Sequence, residues 1–326
     1  MNWKRIKKAL SHPSDLMVYL IQKSDLIAHL SDEKYLRLIY FVKFHKPLNL
    51  KNPQTFNEKL QWLKLNDRNP IYPKMVDKIT AKEYVASVIG EEYIIPTLAV
   101  YETLDDIDLN ELPEQFVLKT NHSGGNTGVV ICKDKSSFDL QTAKMKLKKS
   151  LESDMFKHTR EWPYTQIRPQ VFAEQFMSDQ HGATPDDYKV HSFNGVPKVI
   201  LVCRDRFKDS GLTSDFYSET WEHLDIRRPL HGNASDSAAR PKELDKILEL
   251  SETLSKEIPF VRTDFYSIKD KIYFGELTFY PASGFQSFIP DSWDKVLGDW
   301  LVIPVQGGGA ADKQQYVCSC QTGFSR

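Results

Sequence analysis

The amino-acid sequence predicts a mixed α/β (α+β) protein. Apolar residues recur at helical spacing over much of the first 90 residues, and alternating apolar runs joined by polar turns follow from residue 114 to residue 280. The chain has 326 residues, of which 40% are hydrophobic, so it can bury the cores of roughly two domains. Helices are therefore expected mainly in the first part of the chain and strands mainly in the second.

Residues 1–50 are predicted to form an N-terminal helical extension, because Ser14, Ser24 and Ser31 each precede an acidic residue and an apolar periodic run, as helix N-caps do. The first predicted helix has an apolar face and a basic face, formed respectively by Trp3, Ile6 and Leu10 and by Lys4, Arg5, Lys7 and Lys8. A basic amphipathic helix can lie on anionic lipid, although packing on the rest of the protein is the commoner outcome.

A small preceding α/β domain is predicted over residues 51–113. Apolar residues at helical spacing predict helices over 56–64 and 72–89, and Glu92–Pro96 is predicted as a strand. A helix followed by a strand is what a compact α/β unit of this size requires.

A lysine followed by a glycine-rich loop comes next. A short apolar strand ends at Lys119, the loop Ser123–Gly128 contains three glycines, and a second strand ends at Cys132. Glycines let a backbone fold over a phosphate with its N–H groups turned inward, and a lysine beside them supplies a point charge. The pattern is not a P-loop, because the lysine precedes the glycines and no helix signal follows. A glycine-rich hairpin turn without a ligand is the alternative.

Further strands and a long loop are predicted in the middle of the chain. Residues 170–177 are predicted to form an apolar strand, with Glu174 at the point where the strand leaves the core. Asn194–Gly195 predicts a hairpin turn between two apolar runs, and the first run carries Lys189. Residues 205–239 are polar and show little periodicity, so we expect a long loop that is functional or disordered.

A hairpin near the C-terminal end carries two carboxylates. Alternating apolar runs flank the polar turn Ser267–Lys271, which places Asp264 on one strand and Glu276 on the other. Arg262 shares a strand face with Asp264, and Thr278 shares one with Glu276. Adjacent carboxylates repel unless a cation joins them, and a few oxygen ligands with room for phosphates suit Mg²⁺ carried by a nucleotide. The alternative is a surface hairpin whose charges face solvent.

The order and spacing of these motifs resemble those of the ATP-grasp ligases. The phrases F-V-L-K-T-N-H-S-G-G, D-Y-K-V-H-S-F-N-G, R-T-D-F-Y and F-G-E-L-T-F-Y-P-A-S-G resemble the TupA-like branch, which is associated with teichuronopeptide and other decorated bacterial surface polysaccharides. The likeness covers roughly residues 55–304. It implies an ATP-grasp fold in which two α+β subdomains, residues 114–177 and 178–304, grip ATP.

The resemblance also implies which residues bind the nucleotide. Lys119 would contact the α- and β-phosphates, and Lys189 would add a basic contact to the nucleotide and help to offset the charge of the transferring group. The loop over the β- and γ-phosphates would consist of Ser123, Gly124, Gly125, Asn126, Thr127 and Gly128. Adenine and ribose would be read by Glu174, Gln175, Phe176 and Met177.

The metal and catalytic assignments follow from the same resemblance. Asp264 and Glu276 match the Mg²⁺ ligands, whereas Thr278 stands where most members of the superfamily have asparagine and offers a shorter oxygen ligand. Arg262 matches the arginine near the transferred phosphoryl group, and Arg204 is a second candidate for that role. Catalysis in such ligases rests on positioning and charge neutralisation, and closure of the loop keeps water from an acyl phosphate.

The resemblance implies an ADP-forming ligase that makes a carbon–nitrogen bond. We expect it to join an amino acid, through its amine, to the carboxylate of a uronic acid, or of an acidic side chain, on a glycan or its precursor in a bacterial capsule, O-antigen or cell-wall polysaccharide. Two alternatives are an ATP-dependent sugar phosphotransferase and a glycosyltransferase, for which Asp106–Asp108 supplies a literal D-x-D. The sequence leaves open which sugar and amino acid are used and what the oligomeric state is.

Four basic residues outside the motifs are candidates for substrate contact. Lys78 and Lys82 fall on the predicted helix 72–89, where a solvated helix face is the more common role. Arg227 and Arg228 fall in the predicted long loop and can pair with an anionic sugar, because guanidinium forks match carboxylates, although a surface loop is the commoner explanation for either one alone.

Composition narrows the remaining choices. The formal net charge is −1, which gives no argument for nucleic acid. The cysteines are scattered and suggest a reducing compartment; they are Cys132, Cys203, Cys318 and Cys320. No apolar run approaches the ~18 residues of a membrane span, and no secretory signal is evident, so a cytoplasmic location is expected, with peripheral contact at the inner membrane as a further possibility. The tail 305–326 has no core pattern and is predicted to be disordered.

Overall fold

The computed structural model describes residues 13–24, 27, 29–125, 127–178, 185–204, 211–229 and 232–304. Three predictions lie outside these ranges: the basic helix before Pro13, Asn126 of the glycine loop and the disordered tail 305–326. No helix within the described part of the chain is both long and apolar enough to cross a membrane.

Helices and strands alternate along the chain in a mixed pattern, which confirms the predicted class. The α-helices are α1 (Pro13–Lys23), α2 (Asp32–Phe44), α3 (Phe56–Asn66), α4 (Tyr72–Val76), α5 (Thr80–Ile89), α6 (Leu140–Leu151), α7 (Met155–Thr159), α8 (Leu244–Ser255) and α9 (Ser292–Trp300). The strands are β1 (Thr97–Tyr101), β2 (Phe116–Thr120), β3 (Val129–Cys132), β4 (Val171–Gln175), β5 (Asp187–Phe193), β6 (Val196–Arg204), β7 (Thr213–Ser218), β8 (His223–Leu224), β9 (Phe260–Ile268) and β10 (Lys271–Thr278).

The strands form two antiparallel sheets. The smaller has the order β1-β4-β2-β3, and the larger has the order β10-β9-β5-β6-β7-β8. Helix α6 packs against β2 and β3, where Leu147 joins Phe116 and Leu118 in a small core. Helix α8 packs on the larger sheet against β5, β6 and β9, and the main core lies around it. Each sheet therefore packs on its own hydrophobic core, and a cleft remains between the two sheets.

Two tight turns set the register of the larger sheet. Asn194 and Gly195 have φ values of 48° and 84°, and Lys269 and Asp270 have φ values of 53° and 60°. Positive φ at both central residues is the geometry that matches the twist of a two-residue hairpin. Both predicted hairpins are thus confirmed, and the second is tighter than the predicted turn Ser267–Lys271.

Two local predictions were wrong. The expected long loop 205–239 contains β7 and β8, which extend the larger sheet; serine and aspartate at buried positions of β7, Ser214 and Asp215, remove the alternating apolar signal. In place of the expected strand at Glu92–Pro96, the structure has a 3₁₀ turn over Glu91–Tyr93 and a single bridge from Ile94 to Phe274. Strand β1 begins only after Pro96, which has no N–H to donate to a sheet.

The smaller sheet crosses the predicted boundary between residues 113 and 114. Strand β1 precedes that boundary, yet it pairs with β4 from Thr97 to Tyr101. The helical extension contacts the C-terminal part of the chain, because Phe285 joins the apolar cluster of α2. The segment after β10 is therefore packed against the N-terminal helices.

Candidate active site

A cleft of about 180 Å³ lies between the two sheets, and charged side chains from both sheets line it. Lys119 and Glu174 come from the smaller sheet, and Lys189, Asp264 and Glu276 come from the larger one. The other predicted site residues on its walls are Gly125, Gln175, Phe176 and Met177. The folded chain thus brings residues from four separated motifs to one place.

A β-bulge brings the two carboxylates face to face. Strands β9 and β10 pair regularly as far as Phe274 opposite Phe265, the register then shifts, and Glu276 stands directly opposite Asp264. Gly275 is the extra residue. If the regular pairing continued past Phe274, Gly275 would stand opposite Asp264 and Glu276 opposite Thr263, which is buried on the other face of the sheet, because a shift of one residue moves a side chain to the opposite face.

Arg262 joins the carboxylates. Its Nε and one terminal nitrogen donate to the two oxygens of Asp264 at 2.6 and 2.8 Å, and the same terminal nitrogen donates to Glu276 Oε1 at 2.9 Å. The Thr278 hydroxyl also accepts from Arg262, at 3.0 Å. The forked guanidinium suits this geometry because it can serve several acceptors in one plane. In this arrangement Thr278 holds the arginine.

Lys189 supplies a second positive charge to the same carboxylates. Its ammonium group donates to Asp264 and lies 2.7 Å from Asp187 Oδ2. Burial raises the pKa of Asp264 to about 6, although Arg262 and Lys189 oppose that shift. Burial also acts to raise the pKa of Glu276, but Lys78, Arg262 and Lys189 outweigh it and lower the pKa to about 2. Both carboxyl groups are therefore ionised at neutral pH.

A lysine pair neutralises Glu174 on the other side of the cleft. The Glu174 side chain is buried, and its two oxygens contact the ammonium groups of Lys82, at 2.6 Å, and Lys119. Burial acts to raise the pKa of Glu174, but the two lysines outweigh it, so the pKa is lowered. Glu174 thus holds the ammonium groups of Lys82 and Lys119 at the wall of the cleft that faces Asp264.

Lys78 and Lys82 do not lie on a solvated helix face, so that expectation was wrong. Both line the cleft; Lys82 is buried, and the Lys78 ammonium is 3.8 Å from Glu276 Oε2. Burial lowers the pKa of each. The Lys78 N–H donates to Asn121 O at 3.0 Å, which ties this short helical region to the loop after β2. Helical spacing cannot reveal such a contact, because the partner is 43 positions away in the chain.

The glycine loop joins β2 and β3 as predicted, but its residues differ in environment. A Cβ at Gly128 would lie 2.2 Å from the Thr120 and Ser150 hydroxyl oxygens, and φ there is +70°, so only glycine fits. Gly125 has nothing within 4 Å of its Cβ position. Ser123 is buried and donates to Thr127 O at 2.6 Å. Among the described loop residues, only Gly125 lines the cleft. Ser123, Gly124, Thr127 and Gly128 belong to the part of the loop that does not line the cleft.

Arg204 lies away from this cluster. The neighbouring residue, Cys203, is the register partner of Asp187, so Arg204 projects from the opposite face of the sheet. Its guanidinium lies 3.2 Å from Asp236 and 3.5 Å from Asp215. Arg262 therefore contacts the two carboxylates of the cleft, whereas Arg204 forms ion pairs with Asp215 and Asp236.

The D-x-D residues also lie elsewhere. Asp106 accepts from the N–H of Thr103 at 2.7 Å, and Asp108 accepts from the N–H of Asn110 at 2.8 Å. Both carboxylates thus satisfy backbone donors of short 3₁₀ turns. They line none of the cleft described above.

The carboxylate oxygens in the cleft suit a metal ion that takes most of its ligands from other molecules, such as a nucleotide and water. Within the described residues, no group of three or more His, Cys, Asp and Glu side chains could by itself hold a metal ion. Asp264 and Glu276 nevertheless present two adjacent carboxylates to the cleft. Mg²⁺ is commonly held by one or two carboxylates together with phosphate and water oxygens, so these residues suit Mg²⁺ that arrives with a nucleotide.

The comparison with protein families agrees with the motifs. Residues 58–302 match the family described as TupA-like ATPgrasp, and curated proteins gave no match. Among solved structures, D-alanine–D-alanine ligase from Bacillus anthracis, complexed with ATP, is 16% identical at a TM-score of 0.37, covering 63% of this chain and 53% of that chain. N5-carboxyaminoimidazole synthetase from Staphylococcus aureus, complexed with ADP, is 14% identical at a TM-score of 0.42, covering 85% and 60% respectively.

The chain spans less than two thirds of the length of those two structures. The family match, by contrast, extends from α3 to α9 and so includes both sheets and the whole cleft. It confirms the resemblance predicted from the motifs and the ATP-grasp fold that the resemblance implied. The protein therefore belongs to the TupA-like ATP-grasp family.

Proposed function

We propose that the protein is an ATP-dependent ligase that activates a carboxylate as an acyl phosphate and passes the acyl group to an amine. One observation carries this proposal: Asp264 and Glu276 face each other in a cleft that Lys189 lines from the same sheet and Lys119 from the other, and Arg262 donates to both carboxylates. A cluster of cations around a carboxylate pair suits a polyphosphate with its metal ion. Family membership supports the same assignment.

In the first proposed step, a carboxylate oxygen of the substrate attacks the γ-phosphorus of ATP. The bond between that phosphorus and the β–γ bridging oxygen breaks, and ADP leaves with the electron pair. In the second step, the amine attacks the acyl carbon, phosphate leaves with one former carboxylate oxygen, and the nitrogen loses a proton. The net reaction turns ATP, a carboxylate and an amine into ADP, phosphate and an amide.

The residues of the cleft would act by binding and by neutralising charge. Lys119 and Lys189 lie on opposite walls and would hold phosphate oxygens, while Arg262 would lie beside the transferring group. Asp264 and Glu276 would hold Mg²⁺, which supplies Lewis-acid stabilisation of phosphate oxygens when it is bound. Gln175, Phe176 and Met177 also line the cleft and would contact the base and ribose, while Gly125 would lie over the β- and γ-phosphates.

We further propose that the carboxylate belongs to a uronic acid in a bacterial surface polysaccharide or its precursor, and that the amine belongs to an amino acid. The motif resemblance to the TupA-like branch supports this substrate class. A cytoplasmic enzyme in contact with the inner membrane surface fits such a role. Exposed apolar side chains on α1 support the membrane contact: Leu16, Met17, Tyr19 and Leu20 are 37–58% exposed, and the basic segment precedes them in sequence.

The test uses hydroxylamine in place of the unknown amine. Mg²⁺, ATP, hydroxylamine and a pool of carboxylates, including uronic acid glycosides, are incubated with the protein, and ADP and hydroxamates are measured. A hydroxamate that depends on ATP and on one carboxylate is expected. Carboxylate labelled with ¹⁸O should also transfer one labelled oxygen to phosphate, because the acyl carbon–oxygen bond breaks in the second step.

Other outcomes would assign the alternatives. A phosphorylated sugar with ADP but without hydroxamate would show a phosphotransferase. Turnover of a nucleotide sugar without ATP would show a glycosyltransferase. Absence of ATP binding to the folded protein would remove the ligase proposal, whatever the carboxylate.

A further inference from the structure

Helix α3 carries a stripe of buried polar side chains that the proposed mechanism does not use. Asn57, Gln61 and Lys64 are at most 1% exposed, and their spacing of four and three residues places them on one face of the helix. None of them lines the cleft between the sheets. Buried amide and ammonium groups are costly unless they are hydrogen-bonded, so the partners of this polar stripe indicate what it holds.

Two members of the polar stripe hold the turn that follows β10. Gln61 Nε2 donates to Gly284 O at 2.6 Å and to Ser283 O at 3.2 Å. Lys64 Nζ donates to Ser283 O at 2.7 Å and to Thr159 O, also at 2.7 Å. Two neighbouring carbonyl groups of the turn therefore accept three hydrogen bonds from α3.

The polar stripe holds residues 281–286, here called the anchored segment, at a further point. Asn57 Nδ2 donates to Gln286 O at 2.9 Å, and the Gln286 N–H donates to Asn57 Oδ1 at 3.0 Å. The Ser283 hydroxyl donates to the buried Glu161 at 2.8 Å. Burial lowers the pKa of Lys64, although Glu161 opposes that shift. A buried cation and a buried carboxylate are thus both hydrogen-bonded to Ser283.

The anchored segment has a backbone that requires such support. Ala282, Ser283 and Gly284 have φ values of 48°, 54° and 65°, so three consecutive residues are left-handed and only the last is glycine. Left-handed backbone is costly for residues that carry a Cβ, and it persists where the surrounding structure holds it. A Cβ at Gly284 would lie 2.4 Å from Gln61 Nε2, so the helix and the turn are in direct contact. The polar stripe thus holds a strained turn in one conformation.

The anchored segment also borders the surroundings of Arg262. Arg228 and Arg262 line a cavity of about 60 Å³ together with three residues of the anchored segment, which are Pro281, Ala282 and Gln286. The chain connects the two as well: β10 ends at Thr278, whose hydroxyl accepts from Arg262 at 3.0 Å, and the anchored segment begins three residues later. Arg262 therefore contacts the carboxylates of the cleft and also lines a cavity whose wall the polar stripe holds in place.

We propose that Asn57, Gln61 and Lys64 are positioning residues for catalysis, which hold the anchored segment and through it set the place of Arg262. The proposal rests on the ligase function proposed above, in which Arg262 lies beside the transferring group, and it adds three residues of α3 to those on which catalysis depends. A metal ion bound by the two carboxylates of the cleft would share the oxygens that now accept from Arg262. The hydrogen bonds of the polar stripe involve none of those oxygens, so they would persist when the nucleotide binds.

The test compares Lys64→Met with the matched control Lys59→Met, which makes the same change of charge on the same helix. Lys59 also donates to two backbone carbonyls, but these belong to Gly298 and Leu301 at the end of α9, outside the anchored segment. Gln61→Leu is a second variant, which removes the amide without a change of charge. In the hydroxamate assay, kcat should fall by about tenfold or more in Lys64→Met and Gln61→Leu and stay close to the wild-type value in Lys59→Met. The affinity for Mg²⁺ with a non-hydrolysable ATP analogue should stay close to that of the wild type in all three, because none of these residues lines the cleft.

A second measurement follows Arg262 itself and requires no turnover. In protein with ¹⁵N-labelled arginine, the Nε–H signal of Arg262 is assigned by its absence in Arg262→Lys. The signal should shift in Lys64→Met and in Gln61→Leu and keep its position in Lys59→Met, because this N–H reports its hydrogen bond in the cleft. Gly284→Ala should also shift it, since the added Cβ would displace Gln61.

The outcomes separate this proposal from the ligase function. A wild-type protein that does not bind the ATP analogue would remove the ligase function, and the Arg262 signal would still show whether α3 sets the place of the arginine. Wild-type kcat in Lys64→Met and Gln61→Leu, an equal loss of kcat in Lys59→Met, or an Arg262 signal that shifts in neither variant would overturn the positioning role. Thermal unfolding is measured for each variant, and Gln61→Leu decides the outcome if Lys64→Met does not fold.

Discussion

At the scale of single residues, the site depends on how negative charge is compensated. Asp264 is buried, and each of its oxygens accepts a hydrogen bond from Arg262. Lys189 also donates to Asp264, while Lys78 lies near Glu276. Ionised carboxylates in such a place need cations, because burial in a medium of low dielectric makes an unpaired charge costly. A bound Mg²⁺ and the phosphates of a nucleotide would join this network and share its charges.

Glu276→Gln should abolish turnover while the fold persists. The amide keeps the shape but removes the negative charge that would hold Mg²⁺, and we expect kcat to fall by about 10²-fold or more in the hydroxamate assay. The matched control is Asp270→Asn, at the exposed turn of the same hairpin, where asparagine tolerates the positive φ of 60°. Wild-type activity in Glu276→Gln would contradict the metal assignment.

Activity should fall as the pH drops below about 6. Burial raises the pKa of Asp264 to about 6, so the carboxylate is ionised above that pH and becomes neutral below it. Loss of the charge weakens the hold on Arg262 and on a metal ion, so kcat/KM should fall about tenfold for each unit of pH below the pKa. Asp264→Asn should show low activity with no such step between pH 5 and 7. A wild-type profile that is flat over this range would rule out Asp264 as the titrating group.

At the scale of secondary structure, the bulge in β10 decides which side chains meet. The pairing shifts at Gly275, and a regular register through this glycine would place Glu276 and Thr278 on the face opposite to that of Asp264 and Arg262. The alternating apolar pattern placed Glu276 on the strand, but it did not show the bulge. Glycine in a strand suggests either a bulge or a close backbone approach, and here both are present.

Gly275→Val should lower both stability and activity. A Cβ at this position would lie 3.2 Å from Asp264 O and 3.2 Å from a ring carbon of Tyr266, so the two strands must move apart. We expect a loss of about 1–3 kcal/mol in the free energy of unfolding and a larger proportional loss of activity, because Asp264 itself is displaced. Denaturant unfolding and the hydroxamate assay measure the two effects. Gly232→Val is the control, with nothing within 4 Å of its Cβ position; an equal effect of both substitutions would argue against the bulge as the cause.

At the scale of the whole molecule, the cleft belongs to neither sheet alone. Lys119 and Glu174 lie on the smaller sheet, and Lys189, Asp264 and Glu276 on the larger one. Lys78 and Lys82 come from the helical region between the extension and β1. A ligand held by all of them would couple the two sheets, so ligand binding and the relative position of the sheets are linked.

A bound nucleotide should therefore protect both sheets from amide hydrogen exchange. Mg²⁺ with a non-hydrolysable ATP analogue is expected to slow exchange at the β2–β3 loop and at the β9–β10 hairpin together, since its phosphates would contact both. The β7–β8 edge of the larger sheet, which lies away from the cleft, serves as the internal control. Protection of one sheet alone would contradict a site shared between them. Lys119→Met should reduce the protection at both places.

The sequence by itself determined the mixed class, the order of the motifs, both hairpins and most of the charged residues described along the cleft. These features are local: alternation, an Asn-Gly turn and a lysine before glycines depend on neighbours in the chain. Only the tertiary structure decided that Lys78 and Lys82 are in the cleft, that Arg204 is not, that β7 joins the larger sheet and that Arg228, not Arg227, lines a cavity. Each of these depends on contacts between distant segments, and the register of a sheet or the packing of a helix on it fixes them.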